Sequence, residues 1–146
     1  MHSDFRSSRM KLVLTSIVTL TVLIAGYLSF VAVFANPRVE RELREQPDSE
    51  RARKVMLITL PSGRSIPVNY LREGNVVYAG ADGRWWHELR GEGATVQLFV
   101  RGETLAGRAR AIEDDADHRA EVFSRLRPTA PKFTGTLVQI DLAPVP

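Results

Sequence analysis

One short turn carries the chain's most suggestive donor set. Arg64 lies between Ser62-Gly63 and Ser65, so a guanidinium, two hydroxyls and the N–H groups of a tight turn are neighbours that suit a phosphate. An ordinary exposed hairpin arginine fits the same residues. Trp85 and Trp86 are the only tryptophans; a ring or indole N–H there can face a planar ligand, or the pair can plug a core. His87 beside them either contacts phosphate or an acceptor, or is an exposed helix histidine. Tyr70 and Tyr78 carry phenols that can hand a proton or a hydrogen bond to a reduced oxygen in a dry pocket. Both also fit as plain aromatic strand residues.

Other chemistries drop out. Without cysteine there is no disulfide, thiolate nucleophile or iron–sulfur cluster. Three histidines, at 2, 87 and 118, offer no paired metal-ligand spacing, and no metal is expected. The acidic run Glu113-Asp114-Asp115-Ala116-Asp117 lacks the spacing and glycine of a calcium loop and reads instead as a helix start. Neither a nucleophile elbow nor a glycine-rich dinucleotide loop occurs. The net charge is +3, but Arg and Glu alternate closely, so no basic patch for nucleic acid stands out.

These residues need a frame, and the pattern supplies a mainly β one. Short β-rich runs at 55–60, 65–72, 75–80, 94–100, 103–112 and 136–142 are separated by Gly and Pro turns. A Glu73-Gly74 loop would set Asn69 opposite Tyr78 and Tyr70 opposite Val77. Arg84–Arg90 reads as a short helical segment. A second helix runs from Asp114 or Asp115 to about Arg127, with Ala120, Val122, Phe123 and Leu126 as its apolar stripe and Pro128 and Pro131 beyond it. In the fifth strand Leu105, Gly107, Ala109 and Ala111 form a small apolar face suited to a barrel interior. Six strands with a helix before the last fit a small barrel, which also removes exposed edges. With 146 residues there is room for one such domain, at 55–146.

Ahead of it, Leu12–Ala35 is uncharged and spans roughly 36 Å as a helix, enough to cross a bilayer. The expected order is a tail at 1–11, a transmembrane helix at 12–35 and a charged juxtamembrane spacer helix at 36–54, with Asn36 as its cap. A cleaved signal peptide ending near Val33-Phe34-Ala35 is the alternative. Basic residues from Arg38 to Lys54 outnumber those before the span, so the domain of this single-pass cell-membrane protein is expected in the cytoplasm.

The ordered motifs resemble a known family. Trp85-Trp86-His87-Glu88-Leu89, then a strand, Gly102 and another strand, is similar to the W-Y-H-N-L region of the deazaflavin-dependent nitroreductases and quinone reductases. Arg64-Ser65-Ile66-Pro67-Val68 resembles their R-t-t-P-L. The resemblance covers about 55–142 and implies a six-stranded split β-barrel with short helices. It also implies a deazaflavin coenzyme, with FMN as the alternative, and hydride transfer to a quinone or nitro compound. Ser62, Gly63, Arg64, Ser65, Pro67, Trp85, Trp86 and His87 would then bind cofactor, and Tyr70 and Tyr78 would serve the acceptor. The first hairpin is shorter than the family's and lacks its lysine; Glu88 stands where the family has Asn. Two functions follow as expectations: a membrane-anchored reductase of a lipophilic acceptor, or a noncatalytic barrel that binds a ligand or protein. A homodimer is compatible with so small a core.

Overall fold

Alternating apolar residues and positive-φ glycines shape the chain into a closed antiparallel barrel. The computed structural model describes residues 3–30, 36–129 and 135–144, with side chains over 13–26, 37–129 and 135–144. The strands are β1 (Val55–Thr59), β2 (Ser65–Glu73), β3 (Val76–Ala81), β4 (Ala94–Val100), β5 (Glu103–Ile112) and β6 (Thr136–Leu142). Their order is β1-β2-β3-β6-β5-β4, and β1 closes the ring by pairing with β4. The six-stranded barrel expected from the sequence is the fold. Inward side chains, among them Met56, Ile58, Val77, Leu98, Ala109 and Ile140, are almost wholly buried.

One register differs from expectation. Glu73 pairs with Val76, so the loop is Gly74-Asn75, with Gly74 at φ 59°. A two-residue hairpin of this kind favours glycine at its first loop position, where positive φ is required. Tyr70 therefore faces Ala79, and Leu71 faces Tyr78. The pairing moves by two residues, so every side chain keeps its face.

Two helices cover the barrel's outer wall. The first helix of the chain, α1, runs Ser3–Phe30, and α2 runs Asn36–Glu45. Expected as a solvated spacer, α2 instead buries Leu43 to 2% exposure against Ala52 and Leu57, with Val39 one turn earlier beside it. Helix α3 (Ala116–Leu126) is capped by Asp115, whose carboxylate accepts from the His118 N–H at 2.9 Å. Its Val122 and Phe123 pack on Tyr78 and Leu137. Between β3 and β4 the tryptophan segment is a 3₁₀ helix, Arg84–Leu89.

Helix α1 belongs to a separate compact unit. Over 13–26 its side chains are exposed, and Val13, Leu14, Ile17, Val18, Leu20, Val22, Leu23 and Ile24 are each more than half exposed. Among the described residues no helix is long and apolar enough to cross a membrane, so the expected span is not shown. The apolar run 12–35 extends past those side chains in both directions. Residues 31–35, the Asn36 side chain and Pro131 lie outside the described residues.

Candidate functional site

Two of the residues expected to grip phosphate, Ser62 and Arg64, come together, and the carboxylate they meet is the chain's own Glu88. In the β1–β2 turn Gly63, at φ 83°, donates its N–H to the Leu60 carbonyl at 2.8 Å. That geometry aims the Ser62 N–H and hydroxyl at Glu88, each at 3.1 Å, and Arg64 Nη2 reaches the same carboxylate at 2.9 Å. Burial raises the pKa of Glu88, but hydrogen bonds from Arg64 and Ser62 outweigh it and hold the carboxyl below its ordinary value. Ser65 is not part of this set, since its hydroxyl meets Thr59 Oγ1 at 2.7 Å. Pro67 sits in the β1–β2 ladder opposite Leu57.

Trp85 and Trp86 are half-buried against the barrel core. The Trp86 ring lies 4.1 Å from the exposed His87 ring, and the Arg90 guanidinium stacks over it at 5.1 Å. Arg90 is itself fixed by two hydrogen bonds to Glu113, at 2.9 and 3.2 Å. Flanked in this way, the tryptophans resemble a barrel plug more than an open stacking slot.

The two tyrosines separate. Tyr78 is buried beneath α3, with the His118 ring edge-on at 5.6 Å; His118 is half-buried there. Tyr70 is half-buried, and its hydroxyl donates to the Ala52 carbonyl at 3.2 Å. Burial raises its phenol pKa, opposed by the nearby Arg101 and Arg72. Tyr70 lines a cleft of about 740 Å³ together with Arg53, Lys54, Asn69, Leu71, Asp82 and residues 125–129. It also lines a cavity of about 370 Å³ with Arg72, Val100, Arg101 and Glu103.

Arg127 anchors one wall of the larger cleft. Its side chain is 11% exposed and pairs with Asp82. Nη2 donates to the Gly80 carbonyl at 2.8 Å, and the guanidinium lies 5.6 Å from the Phe123 ring centroid. Gly80 makes room for this, because a Cβ there would come 2.7 Å from Nη2. Among the described residues the buried Arg127 Nε meets no hydrogen-bond partner, an uncommon state for a native donor. Arg125 pairs with Glu73 and Glu121, and Lys54 with Glu50. Sequence reasoning missed this wall because cations in a helix's last turn ordinarily satisfy its C-terminal carbonyls. Among the described residues no group of three or more His, Asp or Glu could hold a metal.

No family model and no curated protein matches the chain. Among solved structures it is similar to a candidate pyridoxamine 5'-phosphate oxidase of Listeria innocua, at 14% identity and TM-score 0.45, covering 72% of this chain and 95% of that one. A candidate 5-nitroimidazole antibiotic resistance protein of Bacteroides thetaiotaomicron is 10% identical at TM-score 0.44, with 74% and 80% covered. An FAD-binding protein of Mesorhizobium loti is 16% identical at TM-score 0.41, with 64% and 84% covered. Scores this low establish neither a family nor an activity.

Proposed function

We propose that the barrel binds a flavin-class cofactor, a deazaflavin or FMN, in the Tyr70 cleft and serves as a membrane-anchored reductase of a quinone or nitro-type acceptor. The carrying observation is the cleft: about 740 Å³, with a phenol, four cations and one carboxylate in its lining. Small-molecule sites typically enclose about 300–1,000 Å³, so the space suits a ring system with a phosphate tail. Arg53 and Lys54, both exposed, and Arg125 are the residues that would meet the phosphate. Arg127 fixes the wall behind them. A bound flavin supplies the hydride chemistry.

Tyr70 would serve the acceptor. Its hydroxyl now donates to the Ala52 carbonyl, and the same O–H can turn to a developing oxyanion, a contribution typically worth about 10²–10⁴ in rate. A phenol with a raised pKa keeps its proton until the acceptor needs it. The exposed apolar side chains of α1, uncharged from residue 13 to 26, support the anchor, since a surface of that kind belongs in a core or a bilayer. Tethering would raise the local concentration of a lipophilic acceptor without added contacts.

A second reading, a noncatalytic binding module, is favoured by Glu88, which occupies the hairpin donors expected to hold phosphate. Titrating the full chain in mild detergent with oxidised and reduced deazaflavin and FMN, then assaying menadione turnover, separates the two. The reductase reading predicts binding that Arg53→Glu weakens about tenfold or more. It also predicts turnover that Tyr70→Phe lowers about a hundredfold with binding intact. Binding without turnover would favour the module, and no binding by the folded chain would sink the flavin assignment.

A further inference from the structure

Three donors of one turn converge on a single carboxylate from a distant segment. The Ser62 N–H, the Ser62 hydroxyl and Arg64 Nη2 all reach Glu88, at 3.1, 3.1 and 2.9 Å. A guanidinium, a hydroxyl and a turn N–H form the mixed, charge-assisted set that receives oxyanions in general. The occupant is not locked in. The Arg64 side chain is 61% exposed and that of Glu88 27%, so water and dissolved anions reach both partners, and such a pair is only weakly held.

We infer that the Ser62–Arg64 turn is an anion-receiving site held closed by the chain's own Glu88, and that a phosphoryl-bearing anion enters it by exchange with that carboxylate. Exchange needs only a rotation of the Glu88 side chain. The next residue, Leu89, is fully buried in the barrel core, and Trp85 and Trp86 pack against that core, so the 3₁₀ helix stays seated when Glu88 leaves. The vacated turn presents three donors. This inference goes beyond the proposed function: the site is separate from the Tyr70 cleft and does not depend on what binds there.

Inorganic phosphate and pyrophosphate are the probes, and the amide resonances of Ser62 and Gly63 in the isotope-labelled full chain are the readout. In Glu88→Ala these resonances are expected to shift at phosphate concentrations about tenfold lower than in the native chain. Adding Arg64→Ala to that variant is expected to abolish the shift. Equal response of the native chain and Glu88→Ala, or binding indifferent to Arg64, would overturn the inference and leave a plain ion pair. If Glu88→Ala loses its native core resonances, Glu88→Gln preserves the side chain's volume and carries the same comparison. There, unchanged phosphate sensitivity would overturn the inference equally.

Discussion

Glu88 shows what a single residue adds beyond its type. Its carboxyl is held below the ordinary value of 4.5. The resulting stabilisation is present above that value and is lost as pH falls through the depressed one. Acid should therefore change the fluorescence of the neighbouring Trp85 and Trp86 only below the usual glutamate range, and Arg64→Ala should move that change upward. A transition that Arg64→Ala leaves in place would dissociate it from Glu88. The donors were legible in the sequence because Ser62, Gly63 and Arg64 are adjacent. Their occupant was not, because nothing local brings a residue 24 positions away onto the turn. The tyrosines make the same point. As sequence they are equivalent, yet Tyr70 opens on a cleft while Tyr78 lies under α3. Tyr78→Ala should cost about 3–5 kcal/mol of unfolding free energy, as truncating a large buried aromatic does. Tyr70→Phe should cost only about 1 kcal/mol, for one hydrogen bond.

At the scale of elements, alternation and turn chemistry carried most of the information. Strands β4, β5 and β6 begin and end where their apolar alternation does. The β2–β3 loop lies one residue later than the Glu73-Gly74 turn the sequence suggests, because its first position, not its second, takes the positive-φ glycine. Close approaches were also invisible in sequence. Gly93 has φ 71°, and a Cβ on it would lie 2.2 Å from the Ala109 carbonyl oxygen. Gly93→Ala should lower stability by about 1–3 kcal/mol for the backbone strain alone, read as a lower urea midpoint. The charges of helix α2 suggest a solvated spacer and mask the one side chain, Leu43, that it buries most deeply. With Leu43 at 2% exposure, Leu43→Ala should cost about 2–5 kcal/mol, whereas the exposed Arg41→Ala should stay within about 0.5 kcal/mol. Equal, small effects would mean that the helix does not dock on the barrel in solution.

For the whole molecule, closure through the β1–β4 pairing leaves the sheet no free edge, and α2 and α3 bury apolar positions on its outer wall. Neither helix's docking was needed to recognise a six-stranded barrel in the sequence. Of the two, α3 borders the cleft: one wall comes from its C-terminal end, and another from the segment leading into β1. The proposed membrane anchor rests on the apolar N-terminal run. The full chain should remain with membranes through an alkaline wash, and deletion of residues 12–35 should release it. Retention of the deletion variant would move the membrane contact to the barrel. Whether the Tyr70 cleft is a ligand site is tested directly by mapping amide shifts in the isotope-labelled full chain during titration with oxidised FMN and deazaflavin. Shifts concentrated at residues 53–54, 69–71 and 125–129 are the predicted result. A saturable response confined to other parts of the barrel, or none from a folded chain, would contradict it.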